Sequence, residues 1–123
     1  MSVSNGGRIR IRRIYDDPDS GTYRVLVDRL WPRGIKRDAA RLDHWAKDAA
    51  PSAELRRWYG HDPARFDEFA RRYQAELSRP PASIAVEELH GLARRRLVTL
   101  LTATRDIEHS GARVLRDHLR SRR

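Results

Sequence analysis

The sequence contains no cysteine. That absence removes disulfides, thiolate catalysis and cysteine-ligated metals together, and it suits a reducing cytoplasm. No run of about 18 apolar residues occurs that could span a bilayer, and Met1 to Gly7 is small and polar, without the apolar core of a signal sequence. We therefore expect a cytoplasmic chain that neither spans a membrane nor is exported by a classical signal, with residues 1–7 as a disordered leader. Lysine is scarce: of 26 basic residues only Lys36 and Lys47 are not arginine. A glycine-rich phosphate loop, a dinucleotide fingerprint and a serine in a nucleophile elbow are missing too. His44, His90 and His118 read as helix-surface residues, and none has a partner at a metal-ligand spacing, so neither a structural zinc nor a cofactor is expected.

What is present is positive charge, +9 overall, which on its own suggests nucleic acid or an anionic surface as partner. Its distribution points elsewhere. Residues 1–15 hold four arginines and no acid, and residues 113–123 hold five arginines and Asp117, so the two ends carry nearly all the excess. The bland reading is a solubilising surface, with residues 120–123 as a basic tail.

Period changes along the chain give the elements. Arg8, Ile9, Arg10 and Ile11 alternate as a strand with one wet face, near a sheet edge. Asp16 to Gly21 concentrates turn formers. Tyr23 to Leu30, with Val25, Leu26 and Val27 in succession, reads as a strand buried on both faces. From Asp38 the spacing of Leu42, Trp45, Ala46 and Ala49 predicts a helix closed by Pro51. A short helix follows, capped by Ser52 and ended by Gly60, and another opens at Asp62-Pro63 with Phe66, Phe69, Tyr73 and Leu77 inward. Ser83 to Ala93 predicts a fourth helix, Leu97 to Thr104 a second buried strand, and Asp106 the cap of a last helix carrying Val114, Leu115 and Leu119. The expected fold is a single compact α/β domain over residues 8–119: a small, mostly parallel sheet of about three to four strands packed with about five helices.

In such folds ligands collect beyond the carboxyl ends of parallel strands. Two segments qualify. Asp28 to Gly34 sets Arg29 and Arg33 around a rigid Trp31-Pro32 pair, with Gly34 allowing close backbone approach. Guanidinium forks suit carboxylate or phosphate, so the segment reads as an anion clamp, against a plain reading in which Arg29 pairs with Asp28 or Asp106 and Trp31 plugs the core. Thr104 to His109 is a strand-to-helix turn in which Asp106, Glu108 and His109 could supply acid or base, unless Asp106 is merely a helix cap. Between helices, Gly60, Asp62 and Pro63 are explained as helix breakers. His61 is not, and it joins the ligand-binding candidates.

Three blocks together, RVLVDRLWPRGI (24–35), APSAELRRWYGHDPARFDEFARRY (50–73) and LVTLLTATRDIEHSGARVL (97–115), resemble the YeaO-like family within domain of unknown function 488. The likeness covers roughly residues 8–119. It implies a compact bacterial α/β protein. It also places Arg29, Trp31, Pro32, Arg33, Gly34, Trp58, Gly60, His61, Asp62, Pro63, Asp106, Glu108 and His109 on the family's signature blocks. Members more often carry lysine before the aspartate of the last block and asparagines after its histidine, where this chain has Arg105, Ser110 and Gly111. If those asparagines touch a ligand, this chain binds it differently. Some relatives carry a winged-helix regulator label, which the proline- and glycine-broken helices here do not support.

Three functions follow as expectations. The first is a small anionic or phosphorylated ligand at the sheet rim, with or without acid–base catalysis. The second is nucleic-acid binding through the basic termini, and the third is a non-catalytic interaction protein. Nothing in the sequence selects an oligomeric state.

Overall fold

The computed structural model describes residues 8–122, so the expected leader, residues 1–7, lies outside the described residues, as does Arg123. One sheet is built from β1 (Ile9–Arg13), β2 (Tyr23–Leu26), β3 (His44–Trp45) and β4 (Val98–Thr102). Its order is β1-β4-β2-β3, and every neighbouring pair is parallel. The helices are α1 (Ala53–Tyr59), α2 (Phe66–Leu77), α3 (Ala82–Ala93) and α4 (Gly111–Arg120), with 3-10 turns at Lys47–Ala49, Pro63–Arg65 and Ile107–His109. This is the expected α/β architecture, with four α-helices among the described residues where five were expected.

Strand position explains strand composition. β4 lies inside the sheet and all five of its residues are buried, which is why Val98 to Thr102 shows no polar face. β1 lies at the edge, as its alternation predicted, with Ile9 buried and Arg10 exposed. On one face Ile9, Val25, Val98 and Leu100 pack under all four helices through Leu55, Phe69, Tyr73, Leu89 and Leu115. On the other face Leu26, Leu101 and Ile14 are covered by the long connection from β2 to β3, through Trp31, Ile35, Ala40, Leu42 and Trp45.

That connection overturns the helix expected from Asp38. The apolar residues that look like one helical stripe serve two layers: Leu42 and Trp45 join the second cluster, while Ala46 and Ala49 join the first. An edge strand with its pleat divides its neighbours in this way, whereas a helix would hold them on one side. Arg41 takes a left-handed φ of 52°, His44 and Trp45 pair with Val25 and Leu26, and the Trp45 indole N–H donates to the Asp28 carbonyl at 2.7 Å.

A buried polar knot ties the connection down. Arg24, 6% exposed, forms a 2.6 Å ion pair with Asp19 and donates to the carbonyls of Arg41 and Ala40. Its own backbone N–H donates to Asp43 at 2.8 Å. Two further readings are corrected. His44 lies in β3 and His90 is buried in α3, so neither is on a helix surface. Asp106 does not cap the last helix: Ser110 does, accepting from the Arg113 N–H at 3.2 Å. Ser52 and Gly60 bound α1 as expected, the latter at φ 55°.

Candidate functional site

Because β2 and β4 are parallel neighbours, with Leu26 beside Leu101, the segments leaving them open at one rim. A cavity of about 450 Å³ lies there. From the first segment it takes Asp28, Arg29, Leu30, Trp31, Pro32 and Arg33, and from the second Ala103, Thr104, Gly111 and Ala112. Arg56 and Tyr59 of α1, together with His61, close the far wall. Four of the expected ligand residues, Arg29, Trp31, Arg33 and His61, thus share one cavity.

Each is held by its surroundings. The Arg29 Nε donates to the Pro51 carbonyl at 2.9 Å, which anchors the guanidinium fork at the cavity. Arg29 also borders a second depression of about 350 Å³ with Glu76 and Arg79. The Trp31 indole N–H donates to the Ile35 carbonyl at 2.7 Å, and its ring meets Trp45 edge-on. Arg33 is exposed, and its carbonyl accepts from the Tyr15 hydroxyl at 2.9 Å. Gly34 does not line the cavity; with φ 76° it makes the turn that brings Ile35 under Trp31. His61 has φ 56°, a left-handed conformation that side chains usually avoid, directly after left-handed Gly60.

Two further residues belong here: Asp28, read from the sequence only as the start of the loop and a partner for Arg29, and Arg56, which sequence reasoning passed over. Asp28 is half-buried at the base of the cavity, where its carboxylate accepts from the Thr102 hydroxyl and the Ala103 N–H, each at 2.7 Å. Burial pushes its carboxyl above the ordinary value, although those two bonds and the nearby His61 pull the other way. Its sequence signal was its place, the first polar residue after a doubly apolar strand. Arg56 adds a third guanidinium, and its Nε is buried without a hydrogen-bond partner. Helical numbering alone does not reveal that this arginine turns to the rim.

Asp106, Glu108 and His109 sit on the neighbouring 3-10 turn and do not line the cavity. The His109 Nδ1 lies 2.8 Å from Asp106, and its ring packs edge-on against Phe66. Glu108 lies 3.5 Å from Arg113. The turn touches the cavity wall through Tyr59, whose hydroxyl donates to the His109 carbonyl. Burial, with the Asp106 and Asp62 carboxylates nearby, pushes the Tyr59 phenol up. Of the positions that depart from the family pattern, Ser110 is spent on capping α4 and Gly111 lines the cavity. A Cβ at Gly111 would meet the Pro51 ring at 3.4 Å, an ordinary van der Waals contact. Among the described residues no group of His, Asp or Glu gathers to hold a metal, and no helix is long and apolar enough to cross a membrane.

Comparison with known proteins agrees with the signature blocks. A family model described as "Inactive DUF488-N3 subclade" matches residues 8–123. Uncharacterized protein Rv3073c of Mycobacterium tuberculosis is 53% identical over 117 residues, which cover 94% of this chain and 96% of that protein. Uncharacterized protein YeaO of Escherichia coli is 39% identical over 114 residues, covering 92% and 97% respectively. No solved structure matches the chain. With its whole described length matched by the family model and more than nine tenths of the chain by relatives of nearly equal size, the chain belongs to the YeaO-like DUF488 family.

Proposed function

We propose that the chain binds a small anionic ligand, a phosphorylated metabolite in particular, in the cavity at the carboxyl rim of β2 and β4. The observation that carries this reading is the convergence of Arg29, Arg33 and Arg56 on one concave site. Guanidinium forks match phosphate and carboxylate oxygens in pairs, and an anchored fork loses less freedom on binding than a free one. Trp31 and Pro32 give the site rigid apolar walls, and His61 stands opposite as a further donor. The word "inactive" in the description of the matching subclade favours binding without turnover. The cysteine-free sequence suits the cytoplasm, where such metabolites are found.

A second reading adds acid–base work by Asp106, Glu108 and His109, favoured by the 2.8 Å Asp106–His109 pair that orients the imidazole. It requires a ligand that reaches past Tyr59 to the turn. The two readings part at His109→Ala, which leaves affinity unchanged under the first and abolishes turnover under the second.

The test is thermal unfolding with a panel of phosphorylated metabolites and nucleotides. A ligand at about 100 times its Kd adds about 2.7 kcal/mol, a rise in Tm on the order of 10 °C for a domain this small. Arg33→Ala should remove most of that rise. A shift that survives the substitution shows that Arg33 is not the clamp, and no shift across the panel overturns the reading.

A further inference from the structure

Arginines from three distant stretches of chain meet at the end of the sheet opposite the cavity. Ile9, Val98 and Tyr23 stand in register at the start of their strands, so Arg8 and the run Arg94, Arg95, Arg96 lie along one amino rim. The Arg120 guanidinium donates to the Ile9 carbonyl at 3.2 Å, which brings the end of α4 to the same rim. Arg122 pairs with Glu87 of α3, and Arg10 lies 3.3 Å from Asp19. Arg10 shares Asp19 with the buried Arg24, and among the described residues no ion pair holds Arg8, Arg94, Arg95 or Arg96.

Structural duty does not absorb this charge. The carboxyl ends of α3 and α4 lie here, each with about half a negative charge, and Glu88 borders Tyr23, but the four arginines outside any ion pair still leave the rim positive. We infer that this rim is a sequence-independent nucleic-acid-binding surface that contacts backbone phosphates. Arginine forks match phosphate oxygens, and the Arg96 guanidinium lies over the Tyr23 ring at 5.1 Å, a flat surface of the kind on which an unpaired base stacks. Among the described residues an anionic membrane would find no apolar anchor at this rim. The exposed large hydrophobic residues, Tyr15, Leu30 and Ile84, lie away from this rim, the first two at the cavity. The inference is independent of the anion site proposed above, because the two surfaces share no residue.

Fluorescence anisotropy tests it, with the full chain and a labelled single-stranded oligonucleotide titrated over a range of salt. About four phosphates neutralised on a single strand predicts an affinity that falls roughly 50-fold between about 50 and 200 mM salt. Replacing Arg94 and Arg95 with serine should lower the slope of log affinity against log salt by about 1.4. The double change Arg57→Ser with Arg71→Ser, on exposed positions of α1 and α2, removes the same net charge and should leave that slope unchanged. Circular dichroism checks that both variants fold. Equal losses in the two variants would reduce the effect to net charge and overturn the inference. So would an absence of binding at low salt, or binding to anionic-lipid vesicles but not to the oligonucleotide.

Discussion

Asp28 shows how one residue can join stability to the site. Its carboxyl is raised above 3.8 by burial, so its contribution to stability is complete below pH 3.8 and is lost as pH rises through the folded value. Asp28→Asn removes that loss. Urea unfolding from about pH 3.5 to 7 should show the variant gaining on the wild type as pH rises; parallel profiles would place the ionised carboxylate in a well-compensated site. Asp19 behaves in the opposite sense. Burial alone would raise its carboxyl, but the Thr99 hydroxyl and the Arg24 guanidinium outweigh burial and hold it low. Removing Arg24 leaves that carboxylate short of its main partner and frees the carbonyls of Ala40 and Arg41. Arg24→Ala should therefore lose about 3 kcal/mol in denaturant unfolding, the lower end for a broken buried pair because Arg10 and Thr99 remain.

Among the elements, α4 separates two readings of one loop. A cap accepts from an N–H in the first turn of its helix, and Ser110 does so while Asp106, one 3-10 turn earlier, does not. Ser110→Ala should reduce stability by about 1 kcal/mol, and Asp106→Ala by less than about 0.5 kcal/mol. Equal losses would restore Asp106 as the cap. The loop was legible as a strand-to-helix turn because Thr104 to Ser110 breaks the apolar run, but two polar residues four apart compete for the cap and only backbone geometry chooses between them. The same limit applies at residues 38–50. Leu42, Trp45, Ala46 and Ala49 fit a helical period, yet the two layers that bury them are set by β2, which lies some twenty residues earlier in the chain.

At the scale of the molecule, charge has poles. The cavity lined by Arg29, Arg33 and Arg56 lies at the carboxyl rim of the sheet and the arginine cluster at its amino rim. Self-repulsion in a chain of net charge +9 opposes the compact state and is screened by salt. Calorimetry should therefore show Tm rising as sodium chloride is raised from about 10 to 150 mM, with a smaller rise after Arg94→Ser and Arg95→Ser. A Tm independent of salt would mean that the arginines are already neutralised within the fold.

The sequence by itself determined the strands buried on both faces, the caps at Ser52 and Gly60, the α/β class and the loop that carries Arg29 and Arg33. These follow from periodicity and short-range chemistry, which act over a few residues. Tertiary structure decided that Arg56 joins that loop, that Asp28 is tied to Thr102 and Ala103 at the base of the cavity, that the acid-histidine turn stands beside the cavity and not within it, and that the arginines of both chain ends converge on one rim. Each of those outcomes depends on strand order and register, which are set by contacts between segments far apart in the chain that no local pattern encodes.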